Sequence, residues 1–128
     1  MKLLSLLPLV LAPLFPSTPQ AAAGAPQEPA QVSAAAASDV RVDVARPFDT
    51  DVWTMTLTAG ESHLIVVDGD GSTDLDIYLY DENGNLVAMD EDYTDFCVVS
   101  LTPRWTGSFS LRIVNRGGSA NGYVLTLD

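Results

Sequence analysis

From residue 51 onward, apolar and polar positions alternate with a period of two. In "DVWTMTLT", Trp53, Met55 and Leu57 share one side and Thr54, Thr56 and Thr58 the other. "TDLDIYLYD" sets Leu75, Ile77 and Leu79 against Asp74, Asp76, Tyr78 and Tyr80. "GSFSLRIVN" and "GYVLTLD" repeat the pattern with Phe109, Leu111 and Ile113, and with Tyr123, Leu125 and Leu127. This period belongs to a strand with one buried face. "HLIVVD" departs from it: a continuous apolar run predicts a strand buried on both sides. Between the runs lie "TAGES", "DGDGST", "DENGNL" and "NRGGSANG". The Asn-Gly pair predicts a type I′ hairpin turn, with both central residues at positive φ.

Eight short strands follow, at Arg41–Phe48, Asp51–Thr58, Ser62–Asp68, Asp74–Tyr80, Leu86–Met89, Phe96–Thr102, Gly107–Asn115 and Gly122–Asp128. No helical period occurs among them. Many short strands at this spacing predict an all-β sandwich or barrel.

Residues 1–37 do not share the pattern. Lys2 and the apolar run Leu3–Phe15, ending near "AAA" at 21–23, read as a signal peptide over residues 1–23. The run is too short and too broken by proline to span a bilayer, and no later apolar stretch is longer. No cysteine stands at the cleavage site, so a lipid anchor is not expected. Residues 24–38, rich in Ala, Pro, Gln and Ser, read as a disordered linker. The folded domain is expected over 39–128, in a secreted, periplasmic or envelope location.

Charge narrows the partners. The chain carries a net charge of -11, and removal of Lys2 with the leader takes it to -12. Thirteen acids and no Lys or Arg lie between Pro47 and Pro103. So negative a field repels nucleic acid and anionic membrane surfaces and attracts cations and basic partners. The bland reading of the same acids is solubility. With one cysteine, Cys97, no disulfide within the chain can staple the domain.

The order "TDLDIYLYDENGNLVAMDED", "SLTPRWTGSFSLRIVN" and "GYVLTLD", after an opening Trp strand, resembles the bacterial pre-peptidase C-terminal domain over about Asp51 to Asp128. Phe109 stands where that family often has Tyr, and none of these 128 residues reads as a peptidase, which such domains usually follow. The resemblance implies a jelly-roll-like antiparallel β-sandwich of about eight strands in an exported protein. Collagen-binding domains of secreted collagenases look like distant relatives, and some of those bind calcium. The resemblance thus implies calcium and an extracellular protein as candidate ligands; a polysaccharide is a candidate from the exposed aromatics alone.

An EF-hand does not fit. Counted from Asp68, position 6 is Thr73 and position 12 Leu79; counted from Asp81, position 6 is Leu86. A different cation site remains a candidate. The acids flanking the glycine-rich turn (Asp68, Asp70, Asp74) and the cluster "DEDYTD" after the next hairpin (Asp90, Glu91, Asp92, Asp95) are expected to meet at one end of the sandwich, with Asp68, Asp70, Asp74, Asp90 and Asp92 as the candidate calcium ligands. Unsolvated carboxylates that close repel one another unless a cation bridges them. The competing reading is that Asp and Gly are ordinary turn residues.

Catalysis finds little support. His63 is the one histidine, no GxSxG elbow exists, and Cys97 shares the inward parity of Val99 and Leu101. Asp76, Tyr78 and Tyr80 form a candidate binding surface, since exposed aromatics beside carboxylates suit a sugar ring or a protein strand. The sequence thus points to a non-catalytic binding or accessory module, with calcium as candidate stabiliser. The alternative is a structural or secretion-related envelope protein without a ligand.

Overall fold

The computed structural model describes residues 38–128. The leader and, apart from Ser38, the linker lie outside the described residues. Within them every expected strand forms: β1 (Asp39–Ala45), β2 (Thr50–Leu57), β3 (His63–Gly69), β4 (Leu75–Tyr80), β5 (Leu86–Asp90), β6 (Phe96–Leu101), β7 (Gly107–Asn115) and β8 (Asn121–Leu127). They make two four-stranded sheets, ordered β1-β8-β3-β6 and β2-β7-β4-β5, and every pairing is antiparallel. This strand order, with chain-distant strands side by side in both sheets, is that of a jelly roll.

Period two explains the core. Ile65, Val67, Cys97 and Tyr123 from one sheet meet Leu57, Ile77, Phe109 and Leu111 from the other, all at most 2% exposed. Trp53 packs half-buried against this cluster. One polar chain crosses between the sheets. The Trp53 indole Nε1 donates to the Tyr123 hydroxyl at 2.8 Å, and that hydroxyl donates to Asp51 Oδ2 at 2.9 Å. Because both polar groups of the pair are satisfied, two large aromatic rings can be used at the sheet interface without a desolvation penalty.

Three expectations need correction. β1 ends at Ala45 rather than near Phe48. Pro47 opens a turn, closed by Asp49 N–H donating to the Arg46 carbonyl at 3.2 Å, and Phe48 takes a left-handed φ of 54°. The Asn-Gly turn is not type I′, because only Gly84 has positive φ there (80°). Instead Asp81 organises a longer loop. Its carboxylate accepts from Asn83 N, Asn85 N and Asn85 Nδ2, and its own N–H donates to the Asn85 carbonyl. A side chain that supplies three acceptors selects the loop over the two-residue turn. Finally, β3 is buried on one side only. Ile65 and Val67 face the core, while Leu64 is 42% exposed and Val66 half-buried on the outside.

Replacing Tyr123 with Phe leaves the ring in place and strands the Trp53 indole and Asp51. Urea denaturation is expected to show a loss of about 1–3 kcal/mol, the cost of a buried polar group deprived of its partner. A variant within a few tenths of wild type would mean that water replaces the hydroxyl.

Candidate binding surfaces

The two acidic segments do meet. Gly69 N–H donates to the Asp95 carbonyl at 2.9 Å, and Leu75 N–H to the Thr94 carbonyl at 3.2 Å. Asp95 Oδ2 accepts from Gly71 N at 2.6 Å and from Asn121 Nδ2 at 2.9 Å. The approach is so close that a Cβ on Gly69 would stand 2.2 Å from the Asp95 carboxylate. Asp95, one of the acids of "DEDYTD", and Asn121 are therefore the organisers of this end, and Asn121 did not stand out in the sequence. The weak signal was the glycine at 69, placed where another loop must lie flat against the backbone.

The five carboxylates expected to share a cation do not converge. Among the described residues, no three His, Cys, Asp or Glu side chains are grouped so as to hold a metal ion. Each acid has its own task. Asp70 accepts from the Ser72 amide and hydroxyl and from Gly122 N. Asp92 accepts from the Thr94 amide and hydroxyl. Asp90 accepts from Asp92 N and reaches across to Val98 N of β6 at 2.9 Å. Asp68 stands exposed, its parity opposite to the buried Val67. As placed, backbone N–H groups hold Asp70, Asp90 and Asp92, Asp68 stands apart and exposed, and the five carboxylates do not form one cluster.

Asp74 is the exception. Its Oδ1 is buried with no hydrogen-bond partner. Burial raises its pKa above the usual carboxylate range, and the charges of Asp76, Asp92 and Asp95 add to the rise; Arg116 opposes it.

The tyrosine surface forms on the outer face of β4, in a changed role. Asp76 is only 6% exposed. Arg116 covers it, with Nε 2.5 Å from Asp76 Oδ2 and Nη2 2.7 Å from the Tyr78 hydroxyl. That hydroxyl donates to Glu91. Burial first, then the Glu91 hydrogen bond, pushes the Tyr78 pKa up to about 12. Arg112, paired with Tyr78 across the β4–β7 ladder, lies 4.6 Å over the Tyr80 ring. Asp76, Tyr78 and Tyr80 come together as expected, yet two arginines of β7 and its following loop already occupy their polar and π surfaces.

The opposite face of the sandwich is the unexpected one. Cross-strand register aligns Val42, Val124, Asp68 and Phe96 in one row, and Val40, Thr126, Val66 and Val98 in the next. Leu64 lies opposite Ser100 on the same side. Val42 is 75% exposed, Phe96 52% and Val98 38%. The face is therefore mainly apolar, interrupted by Asp68, Ser100 and Thr126, and uncovered by any described residue. The outer positions of "HLIVVD" and "DVRVDVA" were the signal for it.

The two remaining reactive side chains are apart. His63 lies opposite Leu101, and Cys97 opposite Val67, four positions along the ladder. The His63 Nε2 accepts from Thr58 N. Cys97 is buried and its thiol donates to the Leu75 carbonyl at 2.9 Å. Burial, then the nearby Asp90, pushes its pKa up to about 12.

Two outcomes follow. Asp74→Asn is expected to raise the melting temperature at pH 7. A raised carboxylate pKa disfavours the folded state while the group is charged, so the benefit shrinks as pH falls through the raised folded value towards the ordinary one near 3.9. A variant less stable than wild type at pH 7 would assign Asp74 a charged partner. Cys97 should resist an aromatic disulfide reagent at pH 8 in native buffer and react at once in denaturant; rapid native labelling would contradict its burial.

The profile of the bacterial pre-peptidase C-terminal domain matches residues 49–96. Among solved structures, the pre-peptidase C-terminal domain of a collagenase from Bacillus anthracis superposes with a TM-score of 0.57 and 17% identity. That alignment covers 71% of this chain and 89% of the collagenase domain. PliG from Aeromonas hydrophila, a periplasmic inhibitor of g-type lysozyme, superposes with a TM-score of 0.53 and 14% identity, covering 71% of this chain and 84% of PliG. No curated protein sequence matches the chain. Identities this low speak to fold alone. In sequence over residues 49–96, and in the fold of the described domain, the chain resembles the bacterial pre-peptidase C-terminal domain.

Proposed function

We propose that this protein is an exported, non-catalytic binding module that takes a protein partner on the outer face of the β1-β8-β3-β6 sheet. The observation that carries this reading is the exposure of Leu64, Phe96, Val98 and Val124 together with the β1 valines on one face. Contiguous exposed apolar area of this kind is uncommon on a soluble monomer unless something docks there. The similar structures are named as part of a collagenase and as an inhibitor of a lysozyme, which supports an accessory role towards other proteins. The domain is strongly negative and Asp68 lies within the face, favouring a partner with apolar and basic groups.

The leader over residues 1–23 would deliver the domain outside the cytoplasm, and the linker over 24–38 would give it reach. The outer face of β4 ranks second as a docking surface, because a ligand there must first displace Arg112 and Arg116 from Tyr80 and Tyr78.

A photo-cross-linking residue placed at Leu64, Phe96 or Val98 in the native host tests the reading. The same foreign protein should be captured from all three positions and not from Thr56, which lies on the opposite sheet. Leu64→Glu should reduce its capture from the other two positions by about tenfold, as expected for an apolar contact near an interface centre. Absence of any adduct, or equal capture from Thr56, would favour a structural envelope protein without a ligand.

A further inference from the structure

Among the described residues β1 is an edge strand: it pairs with β8 on one side and has no described strand on the other. The Val44 amide is not given to β8. It donates to the Asp43 carboxylate at 2.8 Å, so it points to the free edge. Hydrogen-bonding direction alternates along an antiparallel strand, which places the backbone groups of Val40 and Val42 on that same free edge. Val42, at the centre of the strand, is the most exposed valine of the described domain. β1 thus offers an open ladder of three residues flanked by charges at Asp39, Arg41 and Asp43.

We propose that β1 is a self-pairing edge, joining two copies of the chain antiparallel across a two-fold axis through Val42. Length and charge together select that register, since an axis through Val40 or Val44 would pair only residues 39–41 or 43–45 whereas one through Val42 pairs the whole strand. An axis through Arg41 would set Arg41 against itself and Asp39 against Asp43. An axis through Asp43 would set Asp43 against itself. Like charges directly opposite destabilise a strand pair. With the axis at Val42, each Arg41 faces Asp43 of the second copy, and this complementary pair occurs twice by symmetry.

Backbone parity agrees. Val42 then exchanges its N–H and C=O with Val42 of the second copy, and Val40 does so with Val44. A slip by one residue would oppose outward-pointing to inward-pointing backbone groups and is excluded. The Val44 amide leaves Asp43 for a carbonyl, which frees Asp43 for the facing Arg41. All the paired valines lie on the outer side. Two four-stranded sheets thereby merge into one of eight, with a mainly apolar face twice as wide. This pairing uses the edge of the sheet and holds whatever occupies its outer face.

Sedimentation equilibrium of the purified full-length chain over a concentration series tests it, with melting temperatures recorded for every variant. The wild-type chain should form a dimer as concentration rises. Val42→Pro removes an edge donor that β8 does not use, and should weaken the dimer at least about tenfold without lowering the melting temperature. Arg41→Asp and Asp43→Arg each oppose like charges and should weaken it similarly. The double variant restores opposite charges in the same register and should recover the dimer. A chain that stays monomeric up to about 1 mM, a dimer indifferent to Val42→Pro, or a double variant no better than the single ones would overturn the proposal.

Discussion

The acidic end of this domain depends on one buried amide. Asn121, fully buried where β8 begins, accepts from Asp70 N through Oδ1 and donates through Nδ2 to the Thr73 carbonyl, the Thr73 hydroxyl and Asp95. A buried amide left unpaired is costly, so satisfying it drives both acidic loops to one point. Asn115, at the end of β7, does the same for the neighbouring turn. It donates to the Ala45 and Ser119 carbonyls and accepts from Gly117 N. Between them these two side chains position every loop at this end of the sandwich.

That arrangement explains how so many carboxylates coexist. Several are held in their own turns: side-chain hydrogen bonds from Ser72 and Asn85 first, and backbone N–H groups after them, lower the pKa of Asp70 and Asp81. Charge that could have been gathered into one centre is instead distributed over several turns. Only Asp74 lacks compensation, with one buried oxygen unpartnered and acids around it. The repulsion at this end is thus concentrated in a single side chain.

The two outer faces have opposite characters. On β4 and β7, arginines fold down over tyrosines, and hydrogen bonding is complete around the Tyr78 hydroxyl. Such a face resembles a finished surface. On β1, β8, β3 and β6, apolar side chains stand without a polar cover among the described residues, and the sheet ends in an edge with no described strand beside it. The asymmetry argues that interaction belongs to the second face, since apolar area and open edge groups both gain by removal from water.

Period-two alternation was enough to place the strands and to give the inward side of β2, β4, β6, β7 and β8, because burial of one face enforces register along a strand. Leu75, Ile77, Leu79, Cys97 and Tyr123 all took the side their spacing required. The candidate sites were less legible. Nothing in local spacing told that Asp81 would build its loop with three hydrogen bonds, or that Arg116, forty residues after Asp76, would cover it. For the same reason the apolar second side of "HLIVVD" read as buried: a strand's composition shows what could be covered, not whether a neighbour covers it. By itself the sequence determined strand pattern, sandwich class and acidic character, which follow from local periodicity and net charge. Only the tertiary structure decided which carboxylates were already satisfied and which face was left open, because both depend on contacts between residues far apart in the chain.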